Sequence, residues 1–386
     1  MLSFIKDYES INNREGKINM NLNYIANWDA NRRTTWSGTT YSLLLAMEES
    51  NHVFDVNMND SLVQFLSKIN LKMVEHIGVD LFSRYLQKRL RKLALNQISN
   101  DSVNVQVHSI VNLPNSYIYE DLIWEVLAYI RNNDPSSFSI SGFQKINDKT
   151  FKYQLTRQRE LIGNDKTILS MSHWLTNFIN KETSHRAVYV GGGINTPLIK
   201  TSIKKRDNQT FLFVGRSFYR KGGDIVVSAF NRLKLKYPNA KLIIAGPDKN
   251  KISKKTLNMN GIDFIGDVSV DKIGQLMTTA TCFVMPSRFE AYGLVFIEAM
   301  ANGMPIIARD KYEMPYFVSE GSGLVMRTEK NESLEIDNLL KCMTELLENR
   351  NQYLEKAQEV APNIAKEYSW AAVANRITNV IEDDKL

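Results

Sequence analysis

Short apolar runs alternate with helical patterns along the whole chain, and this alternation limits the fold more than any other feature. Strands that alternate with helices predict parallel sheets covered by helices, which is an α/β architecture. A helix is also expected near 119–130. We expect strands near 18–25, 52–56, 103–108, 138–140, 167–170 and 187–189 in the first half, and near 211–214, 241–245, 263–265, 281–285, 305–307 and 323–326 in the second.

A glycine-rich segment, Gly191-Gly192-Gly193, and a polar, basic stretch at 201–208 interrupt the alternation near the middle of the chain. A chain of 386 residues is long enough for two domains of ordinary size. We therefore predict two facing Rossmann-like domains, at 1–200 and 201–386, with the boundary near residue 200. The first 16 residues are polar and unpatterned, which is typical of a loosely held arm.

Composition narrows the class of protein. Hydrophobic residues make up 43% of the chain and charged residues 23%, as in soluble globular proteins. The net charge of +6 permits attraction to phosphorylated ligands or anionic membranes without requiring either. The two cysteines, Cys282 and Cys342, offer neither a disulfide framework nor a metal spacing. Without a bilayer-length apolar run or a signal-peptide core, we expect a cytoplasmic protein.

Two glutamates, Glu290 and Glu298, lie on either side of a predicted turn between the strand at 281–285 and a helix at 293–302. Such a turn lies at the carboxyl edge of the sheet, where open α/β proteins bind ligands. Glu290 can accept hydrogen bonds from sugar hydroxyls in the turn. Glu298, in the second turn of the helix, can hold a ribose diol with both carboxylate oxygens.

The start of the same helix is expected to bind an anion. The backbone N–H groups of Tyr292, Gly293 and Leu294 point out of the helix, towards the positive end of its dipole. A carboxylate pair on either side of a phosphate site suits a nucleotide sugar. The alternative is a solvated glutamate on an ordinary helix.

A second motif, Gly215-Arg216 followed by Lys221-Gly222, lies between the strand at 211–214 and the next predicted helix. Arg216 and Lys221 would overhang the helix start, where a diphosphate gains from N–H donors, the helix dipole and two cations. A basic surface loop is the alternative, since most arginines and lysines are solvated.

Together the two motifs, with Ser287-Arg288-Phe289-Glu290-Ala291-Tyr292-Gly293-Leu294 through Glu298 as the longer one, resemble the signature of the family 4 glycosyltransferases. These are retaining enzymes of the GT-B fold. The resemblance implies a nucleotide-sugar donor in the C-terminal domain and a last helix, about 369–382, that packs back on the N-terminal domain. It also implies an interdomain segment at 188–196, although glycine stands where the family usually has asparagine. The donor-binding residues that it implies are Gly215, Ala291, Tyr292, Gly293, Leu294 and Glu298.

Catalytic roles follow from the same resemblance. An arginine and a lysine at this spacing bind the donor diphosphate and stabilise its departure, which assigns Arg216 and Lys221. Glu290 is assigned to positioning the sugar rather than to nucleophilic attack. Many relatives have a histidine in the N-terminal domain that touches the donor sugar, and His108, at the end of a predicted strand, is the candidate here.

The loop Ser37-Gly38-Thr39 precedes a predicted helix and is similar in place to a glycine-rich loop that faces the reacting centre in the resembled enzymes. Its hydroxyl and backbone donors suit a phosphate or the acceptor side of the site. Ordinary N-capping of the helix by Ser37 is the alternative.

A basic amphipathic helix is expected at 80–97, with Phe82, Leu86, Leu90 and Leu93 as its apolar stripe. Some resembled enzymes rest on the inner membrane leaflet through such a helix, near lipid-linked acceptors. The alternative, which we favour, is a helix whose stripe faces the core. No motif for nucleic-acid binding is present.

The predicted chemistry is metal-independent, because no metal triad or Asp-x-Asp pair is apparent and two cations can meet the diphosphate charge. We therefore expect a retaining transferase that moves a hexosyl or N-acetylhexosaminyl group from a nucleotide-diphosphate sugar, such as a UDP-sugar, without a cofactor. The acceptor is expected to be a glycan, lipid-linked or protein acceptor in bacterial surface polysaccharide or glycoconjugate synthesis. Two alternatives remain: a catalytically silent GT-B partner subunit, and a nucleotide-sugar epimerase.

Overall fold

The computed structural model of the protein describes residues 20–199, 202–318 and 321–385. Within these ranges the strands form two parallel sheets. Those of the first sheet are β1 (Asn21–Ala26), β2 (His52–Asn57), β3 (Val103–Val107), β4 (Ser116–Glu120), β5 (Thr167–Ser170) and β6 (Arg186–Tyr189). Those of the second are β7 (Thr210–Val214), β8 (Lys241–Ala245), β9 (Ile262–Gly266), β10 (Cys282–Val284), β11 (Ile306–Arg309) and β12 (Gly323–Met326).

Helices connect these strands. In the first half they are α1 (Thr39–Glu48), α2 (Ser61–Ile77), α3 (Ser83–Leu95), α4 (Trp124–Asn133), α5 (Pro135–Phe138), α6 (Asp148–Ile162) and α7 (His173–Glu182). In the second half they are α8 (Gly223–Leu233), α9 (Lys254–Leu257), α10 (Val270–Thr279), α11 (Leu294–Ala301), α12 (Met314–Phe317), α13 (Glu332–Glu348), α14 (Arg350–Glu367) and α15 (Trp370–Asp383). Short 3₁₀ segments occur at Arg32–Gly38, Ile203–Lys205 and Lys249–Lys251.

The strand order is β2-β1-β3-β4-β5-β6 in the first sheet and β12-β11-β10-β7-β8-β9 in the second. All of the strand pairs are parallel, as crossover helices require. The predicted α/β class is therefore confirmed. The order reverses beside β1 and beside β7, and the loops that follow these strands lie at the edge where such sheets bind ligands.

The predicted strand at 138–140 is wrong. Asp134 accepts a hydrogen bond from the backbone N–H of Ser137 at 3.1 Å and caps the short helix α5, which Pro135 begins. The strand that takes this place in the chain order is β4, part of which the sequence pattern predicts as helical. Ile118 and Tyr119 are fully buried in it, because neighbouring strands and helices cover the sheet on both faces.

The last helix of the described chain, α15, packs against α1 in the N-terminal domain, as predicted. Asn51 donates a hydrogen bond to the hydroxyl of Thr378 at 3.2 Å, and Tyr117 donates to Asp384 at 3.0 Å. The predicted boundary at residues 200–201 and the predicted N-terminal arm lie outside the described residues.

The apolar stripe of α3 faces the core. Leu86 and Leu90 are buried with Val63 of α2, so the interpretation that we favoured for this helix agrees with the structure. None of the helices in the described ranges combines the length and the apolar character that crossing a membrane requires.

Candidate active site

A cleft of about 400 Å³ lies between the two domains, at the carboxyl ends of both sheets. It brings together most of the residues that the sequence analysis singled out. From the N-terminal domain they are Ser37 and Thr39, and from the C-terminal domain Gly215, Arg216, Lys221, Glu290, Ala291, Tyr292, Gly293, Leu294 and Glu298. Gly38 lines an adjoining recess. His108 is not among the residues that line the cleft.

Two loops interlock to build the C-terminal wall of the cleft. Arg220, in the loop after β7, donates to the carbonyl of Phe289 at 2.9 Å, and the N–H of Arg288 donates back to the carbonyl of Arg220 at 2.9 Å. Gly222 permits this approach, because a Cβ there would lie 2.4 Å from the carbonyl oxygen of Pro286. The two motifs that are far apart in sequence therefore share one wall.

Lys221 and Glu290 meet at this wall as a buried ion pair, with side chains 13% and 8% exposed. Ser287 also donates to Glu290, at 3.1 Å. Burial raises the pKa of Glu290, but the Lys221 and Arg220 cations outweigh it and hold that pKa below its ordinary value. Burial lowers the pKa of Lys221, against the opposing effect of Glu290.

Arg216 is in a different environment. Its side chain is 78% exposed and pairs with Asp267, which directly follows β9, with N–O distances of 3.2 and 3.3 Å. An exposed ion pair of this kind contributes little to stability, so Arg216 is free to exchange its partner for a ligand. We did not anticipate Asp267 as the partner of this arginine.

The start of α11 is open towards the cleft. Gly293 occupies the N-cap position with φ 104°, and no side chain in the described part of the molecule caps the helix. The N–H groups of the first turn are therefore available to an anion. The Tyr292 side chain points away, to the interdomain segment, where its hydroxyl accepts a hydrogen bond from Gly192 N–H at 3.0 Å.

Glu298 lines the cleft from the second turn of α11 and is 8% exposed. One of its oxygens accepts a hydrogen bond from the N–H of Asn195 at 3.2 Å. Burial raises the pKa of Glu298 to about 7, although backbone donors from 195–196 oppose this effect.

Asp121 is a cleft residue that the sequence analysis missed. It directly follows β4, so its place at a carboxyl sheet edge would have identified it had the strand been recognised. Burial raises the pKa of Asp121 to about 6; His108 lowers it, while Glu120 and Glu290 raise it further.

His108 follows β3 in a left-handed conformation, with φ 66°. Its Nδ1 lies 2.9 Å from an oxygen of the buried Glu120, and its ring centroid lies 4.2 Å from that of Trp36. The histidine ring thus lies against Trp36, which itself lines the cleft. Its predicted contact with the donor sugar remains a prediction.

The loop before α1 departs from helical geometry at Trp36 and Ser37, with φ 48° and 59°. The N-cap of α1 is Gly38, with φ 89° and no side-chain cap, so the alternative that Ser37 caps this helix is wrong. Asn195 donates to the carbonyl of Ser37 at 3.0 Å and accepts from Ser42 at 3.0 Å. The described residues contain no group of three His, Cys, Asp or Glu side chains that could hold a metal ion.

Two domains, each built on a parallel sheet, and the cleft between them define a protein of the GT-B class. Residues 196–366 match the family model of the glycosyl transferases group 1. The structure of WaaG, a glycosyltransferase involved in lipopolysaccharide biosynthesis, superposes with a TM-score of 0.64 at 12% identity, covering 94% of this chain and 99% of that one. Residues 196–366 thus resemble the group 1 glycosyltransferases, and the chain has the GT-B fold that the motifs predicted.

Curated relatives match different shares of the chain. An uncharacterised glycosyltransferase of Methanocaldococcus jannaschii is 28% identical over 60% of this chain, and the match spans 62% of the length of that relative. The lipopolysaccharide 1,2-N-acetylglucosaminetransferase of Salmonella typhimurium is 26% identical over 78% of this chain and 82% of its own.

Proposed function

We propose that the protein transfers a sugar from a nucleotide-diphosphate sugar to a glycan, lipid-linked or protein acceptor, with retention of configuration and without a metal ion. The observation that carries this proposal is the single cleft that contains Arg216, Lys221, Glu290, Glu298 and the open start of α11. The lipopolysaccharide transferase from Salmonella supports an acceptor in surface glycoconjugate synthesis.

In this proposal the diphosphate lies against the N–H groups at the start of α11, between Lys221 and Arg216. Arg216 exchanges its ion pair with Asp267 for one with the phosphate. Lys221 keeps its ion pair with Glu290 and contacts the phosphate as well. Positive groups that are already in place stabilise the negative charge that develops on the departing diphosphate. The leaving phosphate oxygen then takes the proton of the acceptor hydroxyl on the same face of the sugar.

The two glutamates hold the groups on either side of the diphosphate. Glu290 stays ionised beside Lys221 and accepts hydrogen bonds from hydroxyls of the transferred sugar. Glu298 accepts the two hydroxyls of the ribose. Asp121 faces the transferred sugar from the N-terminal wall.

The test is incubation with a panel of UDP-, GDP- and ADP-sugars, with hydrolysis and transfer followed by NMR. We expect release of one nucleoside diphosphate, and an α-linked product from an α-linked donor. An inverted anomer contradicts retention, and turnover that requires a divalent ion and disappears with EDTA contradicts metal independence. No release of any nucleotide favours a silent partner subunit, and an isomerised sugar favours an epimerase.

We also propose that α2, α3 and the loop between them contact the inner face of an anionic membrane. Large apolar side chains are exposed there beside basic ones such as Lys68 and Lys72. Apolar insertion together with cationic attraction is how interfacial helices bind membranes. The exposed apolar residues in this region are Leu62, Phe65, Leu71, Ile77, Val79, Leu81, Tyr85 and Leu95.

Flotation with phosphatidylglycerol vesicles tests this contact. We expect the double variant Phe65→Ser/Leu81→Ser to float less than the wild type. Leu235→Ser is the matched control, because Leu235 is 89% exposed but lies in the C-terminal domain. Equal flotation of all three proteins contradicts the proposed contact.

A further inference from the structure

Strained backbone is concentrated at one corner of the N-terminal domain. Trp36, Ser37 and His108 all have left-handed φ angles, of 48°, 59° and 66°. Residues other than glycine rarely adopt this conformation, and it persists only where the surroundings enforce it, often at ligand sites. The strained backbone therefore suggests that this corner of the N-terminal domain binds a ligand.

Contacts from both sides hold this corner in place. Thr35 accepts a hydrogen bond from the N–H of Asp29 at 2.9 Å, and Asn195 holds the carbonyl of Ser37 at 3.0 Å. The Trp36 ring packs edge-on against Tyr119, with centroids 5.8 Å apart. Tyr119 of β4 therefore contacts the indole directly, while the loop after β1 and the interdomain segment fix the residues on either side of Trp36.

The indole lines the reaction cleft as well as the adjoining recess of about 480 Å³. It is half-buried, so part of this large apolar ring faces a cleft whose other wall carries Lys221 and Glu290. An aromatic face in a polar cleft suits a ligand with apolar faces and a polar rim. A pyranose ring has this character, because its C–H bonds form two faces and its hydroxyls point outward.

His108 supplies a polar group beside the indole. Its side chain is 45% exposed, and its Nδ1 is engaged by Glu120. Among the described residues no hydrogen-bond partner is found for the other ring nitrogen, Nε2. That nitrogen can bond a hydroxyl of a ligand that lies on Trp36.

We infer that Trp36 and His108 form the acceptor subsite, and that the acceptor is a carbohydrate whose ring stacks on the Trp36 indole. The inference rests on the proposed function, since the donor must occupy the opposite wall. It assigns His108 to the acceptor instead of the donor sugar. It also chooses a glycan, or the sugar of a glycoconjugate, over a bare lipid or peptide hydroxyl.

The test uses saturation-transfer NMR on protein loaded with a nucleoside diphosphate that binds it. The probes are the methyl glycosides of glucose, galactose, mannose and N-acetylglucosamine. We expect at least one glycoside to bind, and Trp36→Ala to weaken that binding by about tenfold. Trp36→Phe keeps an aromatic face and should stay within about threefold of the wild type, while His108→Ala falls between them.

Tyr129→Ala is the matched control, because Tyr129 is an exposed aromatic that packs edge-on against Phe178 away from the cleft. Its glycoside affinity should equal that of the wild type. The inference is overturned if Trp36→Ala binds as tightly as the wild type, or if the loaded wild type binds no glycoside. If no uridine, guanosine or adenosine diphosphate binds the wild type, the proposed function itself fails, and this inference with it.

Discussion

Lys221 is the residue on which the proposed chemistry depends most directly. Replacing it with methionine removes a cation aimed at the diphosphate while keeping most of the side-chain volume. We expect turnover of the donor to fall by about 100-fold or more, as when one preorganised electrostatic group is deleted elsewhere. Steady-state kinetics with the nucleotide sugar found by panel screening measure the loss. Unchanged turnover contradicts the diphosphate assignment.

The same substitution should also affect folding. Lys221→Met leaves the Glu290 carboxylate buried without its cation, and we expect a loss of about 3 kcal/mol in the free energy of unfolding. Glu290→Gln in the same chain removes the orphaned charge, so the double variant should regain most of this loss. Urea denaturation of the wild type, both single variants and the double variant completes the cycle. Additive losses would contradict a coupled pair.

Glu298 predicts a pH dependence of stability. Its folded pKa of about 7 lies above the ordinary value of 4.5, so the unfolded chain ionises first as the pH rises. The contribution of this residue to stability is therefore complete below pH 4.5, and is lost as the pH rises through 7. The loss amounts to roughly 3 kcal/mol at most. Between pH 4.5 and 7, the free energy of unfolding of Glu298→Gln, measured by urea denaturation, should rise relative to that of the wild type. A difference that does not change with pH contradicts the raised pKa of Glu298.

Ionisation of Glu298 should also affect nucleotide binding, but it should strengthen binding as the pH rises, whereas it lowers the stability of the fold. Only the ionised Glu298 accepts both ribose hydroxyls strongly, so the affinity for the diphosphate should rise between about pH 6 and pH 8. Calorimetry on Glu298→Gln should show a flatter profile and weaker binding at the alkaline end of this range. A profile identical to that of the wild type would separate this carboxylate from the ribose.

At the scale of elements, the two interlocked loops of the C-terminal wall make Gly222 a sensitive position. Its φ of 77° and its distance from Pro286 leave no room for a side chain. Gly222→Ala should lose about 1 kcal/mol to backbone strain and about 2 kcal/mol more to the clash. It should also weaken nucleotide binding, because the clash moves Lys221 away from Glu290. Thermal unfolding and calorimetry measure the two effects.

Gly142→Ala is the control for this prediction. Gly142 also has a left-handed φ, of 100°, but no atom lies within 4 Å of the Cβ that alanine would add. It should therefore show the strain alone, with nucleotide binding unchanged. Equal losses in the two variants would show that the approach of the loops contributes nothing.

The sequence predicts these elements unevenly, for physical reasons. In the C-terminal half, tight turns need glycine and the phosphate site needs cations at fixed offsets, so Gly222 and Lys221 were recognisable. In β4 the pattern of Tyr117 and Tyr119 did not distinguish a strand from a helix, and Asp121 was missed with it. Local sequence patterns cannot predict contacts between residues that are far apart in the chain. The contacts of Asn195 with Ser37 and with Glu298 are of this kind.

At the scale of the whole molecule, a polar contact beside the cleft joins the two domains. Glu313 of the C-terminal domain lies 2.7 Å from His173 Nδ1 and accepts the N–H of Trp174 at 3.1 Å. Its side chain is almost fully buried. These contacts give His173 a structural role.

Glu313→Ala removes both bonds and should weaken the contact between the domains on this side of the cleft. We expect a larger radius of gyration in small-angle scattering and a smaller thermal shift on adding the nucleoside diphosphate, because closing the cleft then costs part of the binding energy. Asp148→Ala breaks an exposed ion pair with Arg131 inside one domain and serves as the control. Scattering curves that superpose for Glu313→Ala and the wild type would contradict this role.

The packing of α15 on α1 has a consequence for biosynthesis. Leu43 and Met47 of α1 share one apolar core with Val373 and Ile377 of α15. The ribosome synthesises α1 long before α15. The apolar surface of α1 that α15 covers in the folded protein is therefore exposed in the nascent chain until α15 has been synthesised. Aggregation or chaperone capture competes with folding throughout that interval, and the domain reaches its native form only when the final turns emerge.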